Sequence, residues 1–185
     1  EAEAEFQEAI RLNPKLFEPY FFFARACLAQ GKYEQAAALF EQAQTVRPED
    51  FQSPSLLVEV YRSLGRRADA DASLRRAMAI VDNRLALNPD ESRALVLGAV
   101  LCCQSGNIPR GLDLIRQTLA LDPDDSGVLY NVACAYASAG QVDDAVGCLE
   151  RAVLNGFGHW DWVEHDSDLD PLRSSPRFQA LLAGR

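Results

Sequence analysis

The chain has 185 residues, 48% of them hydrophobic and 24% charged, which is the composition of an ordinary soluble globular protein. Its formal net charge of −9 argues against nucleic acid and against an anionic membrane surface as partners, because both select for basic patches. The longest uncharged apolar run, residues 94–103, is far shorter than the roughly 20 residues that a membrane-spanning helix needs. We therefore expect no nucleic-acid binding and no membrane insertion.

The chain opens with a predicted amphipathic helix from Glu1 to Leu12. Asn13 and Pro14 supply its stop signal, since proline cannot continue a helix. This helix matches the second helix of the hairpins that follow it. We therefore expect the partner helix of this first hairpin to lie upstream, in a longer protein.

Four sequence features then recur with one period. The prospective turn glycines are spaced by 34, 41 and 34 residues, and so are the boundary prolines and two positions occupied mostly by alanine. The four sets are Gly31, Gly65, Gly106 and Gly140; Pro14, Pro48, Pro89 and Pro123; Ala36, Ala70, Gly111 and Ala145; and Ala43, Ala77, Thr118 and Ala152. An internal period of this length predicts an array of helical hairpins.

The spacing of 41 places seven additional residues between Ala77 and Pro89. The helical stripe of apolar residues continues through this insertion, at Leu74, Ala77, Met78, Val81 and Leu85. We therefore predict one long helix over residues 67–87. The alternative is a helix that breaks near Asp82 and Asn83.

The remaining helices follow from the same register. First helices of successive hairpins are predicted at 17–30, 52–64, 91–105 and 125–139, and second helices at 33–46, 67–87, 108–120 and 142–154. Pro19, Pro54 and Pro109 then fall in first turns, where a missing N–H is tolerated. The array at 1–154 divides into a half repeat at 1–16 and repeats at about 17–50, 51–91, 92–125 and 126–154.

The period fails after Ala152, and residues 155–185 are predicted to be a capping segment. We expect a loop, a short turn at Ser167–Leu172 and a final helix from Pro176 to about Leu182. The last hairpin of an array exposes an apolar face, so a cover is required. The candidates for that cover are Trp160, Trp162, Leu169, Leu172, Phe178, Leu181 and Leu182.

The five cysteines are odd in number and show no metal-ligand spacing. We interpret them as small buried hydrophobic residues, because free cysteine is among the most buried residue types. A disulfide framework is not expected, and the cytoplasm is the simplest compartment.

The acidic tail offers a possible metal site, with ligands from His159, Asp161, Glu164, His165, Asp166, Asp168 and Asp170. The competing interpretation, which we favour, is a loop whose carboxylates face water and cap helix N-termini. No metalloprotease or calcium-loop spacing occurs, and no nucleophile elbow, phosphate-binding loop or dinucleotide-binding turn occurs elsewhere. We predict no catalytic residue, no cofactor and no metal.

The repeats resemble tetratricopeptide repeats over essentially residues 1–154. The segment Leu129 to Ala152 carries the pattern most clearly, with Val132-Ala133, Tyr136, the turn at Gly140 and Ala145. The tail Asp166-Ser-Asp-Leu-Asp-Pro-Leu-Arg173 and the following Ser-Ser-Pro-Arg-Phe are similar to the ends of C-terminal repeat regions in bacterial serine/threonine kinases and nucleotide cyclases. The resemblance implies a non-catalytic, cytoplasmic interaction module of a larger bacterial signalling protein.

The fold class implied is an all-α, right-handed solenoid whose first helices line a concave groove. We expect this groove to bind a protein or peptide, or another copy of the chain; the alternative is a structural spacer with no ligand. The candidate binding residues are Phe21, Phe22, Arg25, Leu56, Glu59, Arg62, Arg93, Leu97, Tyr130 and Asn131. Phe21 and Phe22 exceed the aromatic content that core packing needs, so they mark either a peptide-binding hot spot or a contact with an upstream segment.

Overall fold

The computed structural model describes residues 2–184, and of Ala2 it describes only the backbone. All regular structure in this part of the chain is helical, which confirms the predicted all-α class. Two compact units, Glu1–Ile80 and Val81–Arg185, divide the chain, and the helix α5 contributes residues to both. The helices are α1 Ala2–Leu12, α2 Phe17–Ala29, α3 Tyr33–Val46, α4 Gln52–Ser63, α5 Arg67–Leu87, α6 Ser92–Gln104, α7 Ile108–Leu121, α8 Ser126–Ser138, α9 Val142–Leu154, α10 Trp160–His165, a 3-10 helix Ser167–Leu172, and α11 Pro176–Ala183.

The helix boundaries follow the repeat register closely. From α2 to α9, each helix begins and ends within one residue of its predicted limits. Helix α5 runs unbroken from Arg67 to Leu87, so the long-helix prediction is confirmed and the alternative of a break near Asp82 is wrong. The N-terminal helix is described from Ala2 onward, and its predicted first residue, Glu1, lies outside the described residues.

Each hairpin turns at a glycine whose φ is positive. The values are 70° at Gly31, 71° at Gly65, 83° at Gly106 and 76° at Gly140. At the first of these, the N–H of Lys32 donates to the carbonyl of Cys27 at 2.9 Å, which ends α2 in a left-handed cap. A side chain at this φ would be strained, so the periodic glycines have a backbone reason.

Aromatic rings fill the core of unit one. Phe21 lies between Phe17, at a centroid distance of 5.3 Å, and Phe40, at 5.9 Å. The guanidinium of Arg47 covers the Phe17 ring at 4.0 Å and also pairs with Glu18. The α2–α3 hairpin is therefore held by the edge-to-face contact of Phe21 with Phe40, and a guanidinium covers the neighbouring Phe17 ring.

The core of unit two depends on close helix approach. Every residue of α6 from Ala94 to Cys103 is buried. At Gly111 of α7 an added Cβ would lie 2.3 Å from the Sγ of Cys103, so glycine is required where the other repeats have alanine. The repeat position therefore holds glycine in this hairpin because α6 and α7 approach too closely for a methyl group.

The C-terminal segment, residues 155–184, differs from the prediction at one place. Residues 160–165 form the helix α10 where we expected a loop. Val163, which is 1% exposed, anchors this helix, and a six-residue helix is too short to show an apolar period in the sequence. The turn at Ser167–Leu172 and the helix from Pro176 are present as predicted. Leu169, Leu172 and Phe178 are completely buried, in agreement with a covering role.

Candidate functional site

The two neighbouring phenylalanines of α2 have different environments. Phe21 is 5% exposed and belongs to the core of unit one, whereas Phe22 is 47% exposed and contacts the edge of the Phe21 ring at 5.5 Å. The prediction that both aromatics are surplus to core packing is therefore wrong for Phe21. The core needs this second ring because it bridges Phe17 and Phe40.

The other predicted binding residues of unit one are exposed or partly exposed. The guanidinium of Arg25 is 5.8 Å from the Phe21 ring, one helical turn beyond Phe22. On α4, Leu56 and Glu59 are partly exposed and Arg62 is exposed. Unit one therefore presents a half-exposed aromatic ring together with charges of both signs.

Two of the predicted binding residues in unit two are buried. Leu97 belongs to the buried stretch of α6, and Tyr130 is only 3% exposed. Tyr130 is covered because Phe157 stacks on its ring at 4.5 Å, with 9° between the ring planes. We therefore correct the assignment of these two residues, which are core residues and not free surface. Arg93 is exposed and Asn131 partly exposed, with the Asn131 amide donating to the carbonyl of Gly127 at 2.7 Å.

The Tyr130 hydroxyl leads to a polar cluster that the sequence did not reveal. It donates to Oδ2 of Asp166 at 2.6 Å, and the thiol of Cys134 donates to the same oxygen at 3.5 Å. The other carboxylate oxygen, Oδ1, accepts the backbone N–H of Asp168 at 2.8 Å. The Asp166 side chain thereby caps the 3-10 helix and pins it to α8 at the same time.

A second carboxylate of the tail is held by α6. The side-chain amide nitrogen of Gln104, Nε2, donates to both carboxylate oxygens of Asp168, at 2.9 and 2.7 Å. We call Tyr130 and Cys134 of α8 together with Gln104 of α6 the α8 face. Tyr130 is one of the predicted groove residues, and Cys134 lies about one turn after it on the same helix.

Burial and hydrogen bonding have opposite effects on the pKa of the Asp166 carboxyl. Burial raises the pKa of the Asp166 carboxyl, while the hydrogen bonds from Tyr130, from the Asp168 amide and from Cys134 act in the lowering direction, as does the charge of Arg173. The Arg173 guanidinium also donates to the carbonyls of Glu164, at 2.7 Å, and of Asp166, at 3.3 Å. Arg173 thus stabilises the C-terminal segment internally, and Asp166 attaches the segment to α8.

Of the possible metal ligands in the tail, the structure brings together Asp166 and Asp168, with Cys134 as a third group. One ligand atom from each lies within 4.8 Å of the others. All four carboxylate oxygens already accept hydrogen bonds from this chain, so the arrangement is that of a helix cap and a docking contact. The Nδ1–H of His165 donates to the carbonyl of Asp161 at 2.8 Å, and His159 packs against Phe157 and Trp162.

The five cysteines are free and buried, as predicted for small core residues. Burial raises the pKa of Cys103 to about 11 and also raises the pKa values of the Cys27, Cys102 and Cys148 thiols. A thiol that stays protonated is a poor nucleophile. These residues serve packing.

The Asp122-Pro-Asp-Asp-Ser126 run leads into the start of α8. Asp125 precedes α8, and its carboxylate accepts the N–H of Val128 at 2.8 Å.

Within the described residues, no helix is both long enough and apolar enough to cross a membrane.

Comparison with known proteins agrees with the geometry of the hairpins. Sequence models of the tetratricopeptide repeat match residues 1–53, 28–86 and 103–159. A chloroplastic protein of Arabidopsis thaliana is 40% identical over 53 residues, which are 29% of this chain and only 16% of that protein's length.

Two solved structures share the fold. TTC0263, a thermophilic tetratricopeptide-repeat protein of Thermus thermophilus, superposes with a TM-score of 0.61 at 22% identity, over 90% of this chain and 88% of that one. A chain of the APC/C hetero-tetramer Cut9–Hcn1 superposes with a TM-score of 0.56 at 14% identity, over 98% of this chain and 38% of that one.

Proposed function

Because the chain belongs to the tetratricopeptide-repeat family, whose members mediate protein–protein interaction, we propose that it is a non-catalytic module that binds a peptide or protein partner through unit one. Helical repeats of this kind present side chains of successive first helices to their partners. In unit one these helices are α2 and α4.

The observation that carries the proposal is the exposure of Phe22. Its neighbours Phe21 and Phe23 are buried, and Phe22 alone of the three keeps 47% of its surface accessible. An exposed aromatic ring is costly in water and is enriched, together with arginine, at the centres of protein interfaces. The other predicted binding residues of unit one, Arg25 on the next turn of α2 and Leu56, Glu59 and Arg62 of α4, are exposed or partly exposed. In unit two, Arg93 and Asn131 remain accessible candidates of the same kind.

The test is association measured on matched variants. We expect Phe22→Ala and Arg25→Glu each to abolish association with a purified partner, or self-association in sedimentation equilibrium, while helicity by circular dichroism is unchanged. Leu12→Ala is the control, because Leu12 is 69% exposed in the same unit but lies outside the predicted binding positions.

The same measurement separates binding from a purely structural role. If association survives both substitutions, the proposal for the Phe22 surface fails. If the unmodified chain neither self-associates nor binds a protein or peptide, the alternative of a structural spacer is the better description.

We also propose a cytoplasmic, bacterial signalling context. The support is the resemblance of Asp166–Arg173 and the following residues to the ends of repeat regions attached to kinases and cyclases. Five buried thiols are also compatible with a reducing compartment. A catalytic kinase or cyclase domain on the same polypeptide would support this context, and recovery of the protein from a periplasmic or secreted fraction would contradict it.

A further inference from the structure

Unit two already holds a peptide segment on the α8 face. The segment is part of the chain itself, residues 159–173, which contain α10 and the 3-10 helix Ser167–Leu172. The 3-10 helix packs against α8 and α9. The side chains that receive it are Tyr130, one of the predicted groove residues, Cys134 on the next turn of α8, and Gln104 of α6.

The contact has the composition of a specific recognition site. Two aspartates of the segment each meet a dedicated donor, Asp166 at the Tyr130 hydroxyl and Asp168 at the Gln104 amide. After the two aspartates come Leu169 and Leu172, each of which is 0% exposed. The spacing of these four residues is Asp-x-Asp-Leu-x-x-Leu. Buried leucines supply the affinity, and two charge-assisted hydrogen bonds specify the register.

Two exposed glycines, Gly156 and Gly158, lie in the connection between α9 and this segment. Gly156 has a φ of 92°, Gly158 has no atom within 4 Å of an added Cβ, and both are exposed. The two helices of the segment are each six residues long, so they depend on docking for their order. Short elements of this kind belong to the parts of a protein that open first.

We propose that the α8 face is a peptide-binding surface which the chain's own residues 159–173 occupy, and that the external ligands it takes are acidic peptides with the pattern Asp-x-Asp-Leu-x-x-Leu. The tethered segment competes at high effective concentration, so it keeps the surface closed to weak ligands. A ligand that carries the same two aspartates and two leucines replaces it contact for contact. This surface lies in unit two and is separate from the Phe22 surface of unit one, so the inference goes beyond the proposed function.

The experiment uses the full chain with a protease recognition sequence inserted between Gly158 and His159. After folding and cleavage, we expect residues 159–185 to remain bound on size exclusion. A fluorescent synthetic peptide of residues 159–185 should then exchange into the cleaved protein, with a rise in anisotropy, and should not bind the uncut protein. In the cleaved protein, Tyr130→Phe should weaken the peptide by about tenfold, the effect of one hydrogen bond to a charged acceptor.

Matched peptides define the ligand class. Asp166→Ala in the peptide should reduce its binding, whereas Asp170→Ala should not, because Asp170 is exposed and its ion pair is with Arg173 of the same segment. An unrelated sequence that carries only the four pattern residues should compete, and a scrambled version should not.

Two results would overturn the inference. Either the cleaved segment never exchanges, which makes it a permanent part of the fold, or it is released and no fresh peptide binds to the folded remainder. The substitution Phe22→Ala should leave the exchange unchanged. The association assay therefore tests the proposal for the Phe22 surface, and the exchange assay tests the proposal for the α8 face independently.

Discussion

Removing one oxygen atom, by Tyr130→Phe, should destabilise unit two in a pH-dependent manner. The substitution keeps the ring that stacks on Phe157 and deletes the hydroxyl that donates to Asp166 at 2.6 Å. A hydrogen bond to a charged acceptor contributes about 1.5–3 kcal/mol. At about 2–4 °C per kcal/mol for a chain of this size, the melting temperature should fall by roughly 3–12 °C at a pH where Asp166 is ionised.

The sign of the pH dependence follows from the pKa of Asp166. Burial holds this pKa above its ordinary value, so the folded state binds the proton more tightly than the unfolded state does. The contribution of Asp166 to the free energy of unfolding therefore falls as the pH rises from about 3.9 through the raised pKa. The Tyr130 hydroxyl acts to lower that pKa, so its loss raises the pKa further. The cost of Tyr130→Phe should consequently be largest where Asp166 is ionised and smaller where it is protonated.

The assay is urea denaturation of both proteins over a series of pH values from about 4 to about 9, with the free energies of unfolding subtracted at each pH. Tyr136→Phe is the matched control, because Tyr136 is partly exposed on the same helix and we see no partner for its hydroxyl among the described residues. Its cost should be below about 0.5 kcal/mol throughout the series. A cost of Tyr130→Phe that does not change across the series, or one no greater than that of the control, would refute the account of the Asp166 contact.

Two further predictions concern packing. Gly111→Ala should cost about 1–3 kcal/mol, because the new methyl group would lie 2.3 Å from the Sγ of Cys103, whereas Gly147→Ala, with nothing within 4 Å, should be neutral or stabilising by up to about 1 kcal/mol. Thermal melts of the two variants should move in different directions, and parallel losses would contradict the packing argument. Phe21→Ala should cost about 3–5 kcal/mol and Phe22→Ala about 1 kcal/mol or less, since only the first ring is buried. Chemical denaturation followed by circular dichroism measures both, and equal losses would show that the two rings share one environment.

The helices were predictable because the signals that specify them are local. A positive φ at each turn selects glycine, a missing N–H permits proline in a first turn, and the apolar stripe marks the buried face. These constraints act within one hairpin and recur in every hairpin, so they appear in the sequence as residues repeated at a fixed spacing. The long helix α5 was predictable for the same reason, since the stripe at Leu74, Val81 and Leu85 continues through the insertion. The short helix α10 was not, because six residues contain less than two turns of any period.

The candidate sites depend on contacts between residues far apart in the chain. Phe21 and Phe22 differ by one position, and only the rings of Phe17 and Phe40 around the first decide that the second remains exposed. A signal for the α8 face was present, in the hydroxyl of Tyr130 and the acidic tail. Nothing in their separation along the sequence indicated that Tyr130 and Asp166 would pair.

By itself, therefore, the sequence determined the helical repeats, their boundaries and the requirement for a cover at the C-terminal end, because hydrogen bonding and amphipathic periodicity act over a few residues. The tertiary structure alone decided that the cover lies on Tyr130 and Gln104, and that Phe22 is the aromatic residue of α2 left to solvent. Burial is a property of what packs against a side chain, and the partners here come from elements up to 64 residues apart.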